Sequence, residues 1–339
     1  MSQKFGEMHR LCHVCTDVSG SGNRGLSGRG MTKKLAIGID LGGTNLRAAL
    51  VTSEGDVIRK KKEPTPGKIL DSLILAIENF FSGDVVGIGL GVAGLIDRKN
   101  GAILVSPNIP VLKGVNLVRE IKEKFKVPIF IENDANAAAL GEKWTGAGKE
   151  FSDSVLFTLG TGIGGGVIKD RRLLDVAAEV GHMTVHAGGE KCFCGNSGCL
   201  ETYASARAIV SKVIAALEKG RESLLLKLHE GGPYKLTAED IYRMALEGDG
   251  LAREVMKEAG RYLGIGMANI INILSPQAII LAGGLTGAWD IYVQEAISEA
   301  SKRAFHELFE KVKIRRSLLG DDAGVIGSAG LVFHGSEKI

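Results

Sequence analysis

The chain has 339 residues, 45% of them apolar and 24% charged, with a net charge of +3. That length suffices for two packed domains of average size, while so small a charge excess, with lysines and arginines dispersed among acids, gives no basis for nucleic-acid binding. No apolar run approaches the roughly twenty residues of a membrane span, and no secretory signal core is visible, so a soluble cytoplasmic protein is expected.

Ser, Gly and Arg dominate Ser19 to Gly30 without any apolar period, and residues 1–32 are predicted to be a disordered extension. Met31 directly precedes the first convincing strand, so the functional chain is expected to begin there, and deletion of residues 1–30 to leave activity intact. Cys12-His13-Val14-Cys15 has no matching second pair and no βαβ context, and no function is assigned to it.

Leu35 to Asp40 is a short apolar run ending in an acid, Leu41 to Asn45 makes a turn, and Leu46 to Thr52 resumes as a strand, which reads as a β-hairpin with a glycine tip. Ile69 to Phe81 has helical spacing and Val85 to Val92 reads as a buried strand. An amphipathic helix follows at Leu117 to Lys126, a strand at Val127 to Ile131, and an alanine-rich helix at Ala135 to Lys143 that Asp134 is expected to cap. Ser154 to Leu159 then repeats the opening pattern: an apolar strand, the turn Gly160 to Gly166, and a return through Val167 and Ile168. Helical segments follow at Ser205 to Lys219, Ala238 to Glu247 and Leu251 to Leu274, then a strand at Ala278 to Leu281 and the turn Ala282-Gly283-Gly284. The last helix, Gly324 to Phe333, is expected to close back on the first half. Two similar α/β halves predict a duplicated fold with a cleft between them, where small ligands bind.

Backbone N–H groups in a glycine turn can converge on a phosphate. Asp40-Leu41-Gly42-Gly43-Thr44 and Gly160-Thr161-Gly162 both fit, at matching places in the two halves. Neither ends in the Gly-Lys-Ser/Thr of a Walker loop or opens into a helix as a dinucleotide fingerprint does. Asp40 places a carboxylate where a phosphate-bound magnesium would be held through water. Glu132-Asn133-Asp134-Ala135-Asn136 lies where a buried strand meets a helix, a place that projects side chains into a crevice. Phosphoryl transfer to an alcohol needs positioning, a metal and a carboxylate for the hydroxyl proton, and Asp134 is the candidate base. Asn133 and Asn108 offer the paired donors and acceptors a sugar requires, and Glu179, His182 and Glu201 are further candidates for a polyhydroxyl pocket.

Cys192, Cys194 and Cys199 lie in one glycine-rich segment with His182 and His186 near them. Three thiolates and one imidazole fill the four positions of a tetrahedral zinc ion, so a structural metal is predicted. The five cysteines, clustered in two places and without a signal peptide, do not suit a secreted disulfide scaffold. Spacing does not choose between His182 and His186.

With Asp40 to Thr44, Glu132 to Asn136, Leu159 to Gly166, Glu179 to His182 and Cys192 to Glu201 in hand, the chain resembles the ROK family of bacterial sugar kinases and sugar-responsive repressors over roughly residues 33–335, and is most similar there to the ATP-dependent glucokinases. The resemblance implies the actin-like ATPase fold, also called ribonuclease H-like: an α/β duplication whose two domains enclose the active site. It implies a small domain over 33–133, a large domain over 134–321 with the zinc loop, and a helix at about 322–335 returning to the small domain. By the same resemblance Asp134 is the base for the sugar 6-hydroxyl, and Asn108, Asn133, Glu179, His182 and Glu201 bind the sugar. His182, with Cys192, Cys194 and Cys199, holds zinc. Asp40, Gly42, Gly43 and Thr44 face one side of the phosphates, Gly160, Thr161 and Gly162 the other, and Gly283 and Gly284 lie near the adenosine. ATP with magnesium, a structural zinc ion and assembly as a homodimer or homotetramer follow from it.

Kinases for N-acetylmannosamine or N-acetylglucosamine present the same 6-hydroxyl, so the aspartate cannot distinguish them from a glucose kinase. A sugar-responsive repressor would carry a helix-turn-helix module of packed helices, which the glycine- and serine-rich residues before Leu35 do not suit.

Overall fold

Two five-stranded sheets of identical strand order organise the chain. The computed structural model describes residues 34–65, 67–228 and 233–335; the readings made for residues 1–32, including Cys12 and Cys15, lie outside the described residues.

The first sheet opens with β1 (Leu35–Leu41), β2 (Asn45–Thr52) and β3 (Val57–Pro64), each antiparallel to the one before. Helix α1 (Ile69–Glu78) leads to β4 (Val85–Val92), which lies parallel to β1. A hairpin of β5 (Leu95–Asp97) and β6 (Ala102–Val105) and helix α2 (Leu117–Lys124) precede β7 (Ile129–Asn133), parallel to β4. The order is β3-β2-β1-β4-β7. β1 and β4 are almost wholly apolar because both of their faces are covered. β3 is one of the two edge strands, and its Arg59-Lys60-Lys61-Lys62 run keeps that edge charged. That polarity is also why periodicity did not mark it as a strand.

The second sheet repeats the plan. Helix α3 (Asp134–Trp144) is followed by β8 (Ser154–Leu159), β9 (Ile163–Lys169) and the short β10 (Arg172–Leu173), again antiparallel in succession. Helices α4 (Glu201–Ala204), α5 (Ala206–Glu218), α6 (Ala238–Leu246) and α7 (Gly250–Leu274) form the layer that covers it. Then come β11 (Ala278–Ala282), α8 (Gln294–Arg303), α9 (His306–Phe309) and β12 (Lys313–Arg316), the two strands parallel to β8 and to each other. The order β10-β9-β8-β11-β12 reproduces the first sheet pair by pair.

Helix α10 (Ala323–Phe333) joins the halves. One side lies on the first sheet so closely that a Cβ on Gly38 would stand 2.0 Å from the Val325 carbonyl oxygen. The other crosses α3, where a Cβ on Gly327 would stand 1.6 Å from the Ala137 carbonyl oxygen. α3 in turn rests on β9 through Ala135 and Ala139 against Gly166. The alanines of α3 and glycines of α10 let two helices lie between two sheets at backbone contact distance.

The cap of α3 differs from the expectation. Asn133, not Asp134, is the N-cap: its Oδ1 accepts from the N–H groups of Ala135 at 2.9 Å and Asn136 at 3.2 Å, an arrangement worth about 1 kcal/mol. Asp134 is thereby the first helical residue, and its side chain is not needed to close the helix end.

Candidate functional site

Between the sheets lies a cleft of about 730 Å³, reached by the carboxyl ends of β4, β7 and β8. Every sugar-side residue expected from sequence lines it: Asn108, Asn133, Asp134, Glu179, His182 and Glu201. So do Gly160, Thr161, Gly162 and Gly283. Asp40, Gly42, Gly43, Thr44 and Gly284 are outside that lining. The first glycine turn still borders it, because a Cβ on Gly43 would touch the Asn108 side chain at 2.8 Å.

Asp134 is half-buried, and its Oδ1 accepts from the Ala135 N–H at 2.9 Å. No side chain of the described residues donates to it. Loss of water around the carboxylate, reinforced by the negative charges of Asp40 and Glu179, pushes its pKa up to about 7. A carboxylate at that value can both take a proton from a hydroxyl and release it near neutral pH, which suits a general base. Asp40 is buried too and raised by that burial, with Arg47 opposing through a 2.9 Å ion pair to Oδ2.

The two glycine turns offer their N–H groups unequally. The Gly42 N–H is committed to the Asn45 carbonyl at 3.0 Å and the Gly160 N–H to the Gly162 carbonyl at 3.0 Å. This corrects the sequence expectation for those two glycines as donors: each closes its own turn. Gly43 and Thr44 in one turn, and Thr161 and Gly162 in the other, keep N–H groups without a backbone partner among the described residues. Gly162 must lack a side chain, since a Cβ would stand 2.4 Å from Glu201 Oε2. That oxygen accepts from the Ile163 N–H at 2.6 Å, while Oε1 takes Arg207 at 3.2 Å. Glu201 is therefore a buried strut beneath the second turn as well as a residue of the cleft wall, not surface charge. Gly283, at φ +90°, packs its Cα face against Leu159 at the end of β8, where a Cβ would stand 2.4 Å from the Leu159 carbonyl oxygen.

On the opposite wall, His182 turns Nε2 toward Glu179 Oε2 at 3.9 Å and Nδ1 toward Cys192 Sγ at 3.6 Å. Cys194 Sγ and Cys199 Sγ are 3.7 Å apart, too far for a disulfide. The four donor atoms of His182, Cys192, Cys194 and Cys199 all lie within 4.8 Å of one another. A tetrahedral ion with Zn–S of about 2.3 Å and Zn–N of about 2.0 Å requires edges of roughly 3.8 Å between sulfurs and 3.6 Å from sulfur to nitrogen. The Cys192–His182 separation of 3.6 Å and the Cys194–Cys199 separation of 3.7 Å are of that size, and the remaining pairs lie within 4.8 Å. Burial and the neighbouring sulfurs push the Cys199 thiol up to about 12, so three thiolates at this spacing need a cation to neutralise them. His186 stands elsewhere, in an aromatic cluster with Tyr203 and Tyr262. Phe193, between two of the cysteines, was not singled out by motif reading. Its ring meets His182 edge-on at 5.4 Å and lines the cleft, and the signal for it is an aromatic residue between two ligands.

A duplicated β-β-β-α-β-α-β plan, a glycine turn after the first strand of each half and an aspartate at the start of the crossing helix define the actin-like class of phosphotransferases. The chain belongs to the ROK family, whose model matches residues 36–334. It is 36% identical over 319 residues to the glucokinase of Halalkalibacterium halodurans, covering 89% of this chain and 96% of that protein. It is 33% identical over 311 residues to the xylose repressor of Caldicellulosiruptor bescii, covering 87% of this chain and 77% of the repressor. Among solved structures, a ROK family glucokinase from Streptomyces griseus in complex with glucose and AMPPNP superposes with a TM-score of 0.76 at 34% identity, over 88% of this chain and 98% of that one.

Proposed function

We infer that the protein is an ATP-dependent hexose kinase that phosphorylates the 6-hydroxyl of glucose. The observation that carries this reading is Asp134: a carboxylate raised to about 7, in a cleft with a glycine turn on one side and the Glu179–His182–Glu201 wall on the other. In the reaction the Gly43, Thr44, Thr161 and Gly162 N–H groups hold the phosphates, Asp134 accepts the 6-hydroxyl proton, and the oxygen attacks the γ-phosphorus in line as the bond to the bridging oxygen breaks and ADP leaves. Asn108, Glu179, His182 and Glu201 orient the sugar, Asn133 having one amide hydrogen committed to the Gly94 carbonyl at 3.0 Å. Magnesium bound with ATP would neutralise the phosphates, and Asp40, whose Oδ2 is paired with Arg47 in this structure, would help hold it.

Zinc held by His182, Cys192, Cys194 and Cys199 is supported by the gathering of three sulfurs and one imidazole nitrogen within 4.8 Å of one another, and its role would be purely structural. Bound there it would fix the histidine ring through Nδ1 and leave Nε2 to face the sugar. The small and large domains are read as 33–133 and 134–321, one sheet in each.

The test is ADP release, coupled to a reporter, with ATP and magnesium over glucose, mannose, fructose, N-acetylglucosamine and N-acetylmannosamine. A kcat/KM preference for glucose supports the reading. Preference for an N-acetyl sugar keeps the mechanism and changes the substrate, and no turnover on any returns the protein to the sugar-responsive repressors, with which it also shares its fold.

A further inference from the structure

Arg98, at the end of β5, and Glu132, in β7, have no place in the chemistry above, yet they form the most densely bonded polar cluster beside it. Arg98 Nε donates to Glu132 Oε2 at 2.5 Å, Nη1 to Asp175 Oδ1, and Nη2 to the Val176 carbonyl at 2.8 Å. Glu132 is buried, and its Oε1 accepts from the Asn133 N–H at 2.7 Å and from Asn136 Nδ2 at 3.1 Å. Asn136 Nδ2 reaches the Val176 carbonyl as well, at 3.0 Å. Both neighbours of that amide are acceptors, so its nitrogen must face them.

One end of this cluster is two residues from Asp134. The other holds Asp175 and Val176, which lead through Ala177 and Ala178 to Glu179, all three lining the cleft. Ala178 has φ +51°, a left-handed backbone that an alanine leaves readily unless its surroundings hold it. The two bonds to the Val176 carbonyl help hold the stretch of chain leading into it, alongside the Val180 N–H on the Ala178 carbonyl at 2.7 Å and the Val176 N–H on the Leu174 carbonyl at 2.9 Å. The exposed Asp175 partner contributes little by itself; the buried Glu132 and the carbonyl make the clamp directional.

We propose that Arg98, locked by Glu132, is a positioning residue for the acceptor sugar: it ties the Asp175–Glu179 segment of the second half to β7 of the first, the strand that runs directly into Asp134. The proposal rests on the reading that Glu179 binds the sugar. Arg98→Met removes the fork and keeps the length of the side chain. Its glucose KM should rise about 3- to 30-fold, the scale of coupled side chains in one network, while the ATP KM stays within about twofold. Arg98→Lys, which can reach one partner but not fork between three, should recover part of that loss. Arg98→Met/Glu132→Gln leaves no buried unpaired charge and should show the same glucose KM shift, so a folding defect in the single variant does not stop the measurement. An unchanged glucose KM in the double variant, or glucose and ATP KM rising together, overturns the proposal. Glu179→Gln separates the two readings: if it too leaves glucose KM unchanged, the sugar wall is wrong; if it raises KM while Arg98→Met does not, the clamp alone falls.

Discussion

At the scale of single residues, the chemistry depends on what surrounds a side chain more than on its type. Asp134 is freed from capping by Asn133 and raised by burial and by the charges of Asp40 and Glu179. With Asp134 as the proposed base, which must be ionised to act, turnover should increase as pH rises through about 7, and the limb should vanish in Asp134→Asn, whose kcat should fall by about two to four orders of magnitude with little change in sugar affinity. The same shift has a cost in stability. A carboxyl whose pKa is higher folded than unfolded favours folding below its unfolded value of 3.8 and loses that advantage as pH rises toward 7. Asp134→Asn should therefore melt at a higher Tm than the wild type at pH 8, with the gap closing by pH 4. In the cysteine loop, Cys194→Ser removes the exposed thiol of the four-residue donor cluster proposed to hold zinc. The variant should purify with less than one zinc per chain by metal analysis and show a higher glucose KM, because the loop that orients His182 and Glu201 loses its anchor.

Among the elements, α3 and α10 decide how the halves meet. Their side chains are small where they cross, and Gly327→Ala would press a methyl group into the Ala137 carbonyl. Neither backbone can retreat, since each helix is held on its far side by a sheet. The midpoint of denaturant unfolding should drop by an amount equivalent to about 1–3 kcal/mol or more, with the loss seen equally by far-UV circular dichroism and by fluorescence. Buried Glu142 near the end of α3 adds a polar tie, accepting from the N–H groups of Ala147 at 2.7 Å and Leu319 at 3.0 Å. A helix anchored at its C-terminal end and bearing Asp134 at its first residue is a rigid mount for a base, which loop-borne Glu179 lacks.

For the molecule as a whole, the cleft lies between two sheets joined by crossing helices, a geometry that permits the halves to rotate about the crossing. Glucose together with AMPPNP should contract the protein, seen as a smaller radius of gyration in solution scattering, whereas either ligand alone should contract it less. No change with both bound would mean the cleft is already in its working form. Among the described residues no helix is long and apolar enough to cross a membrane.

Much of this was legible in the chain. The two strand-turn-strand openings, the helix after Asn133 and the cysteine cluster are written in local terms: apolar period, glycine spacing and ligand type act over a few residues, and physics at that range determines an element or a donor set. The polar edge strand β3 was not, because its residues answer to its place at the edge of a sheet rather than to its own period. Nor was the commitment of the Gly42 and Gly160 N–H groups inside their turns or the reach of Arg98 to residues 34 and 77 positions away, and residue spacing left His182 and His186 open until the family resemblance pointed to His182. Those depend on which segments the two sheets bring side by side, and a carboxylate's pKa or an imidazole's partner is set by neighbours in space whose distance along the chain carries no information about them.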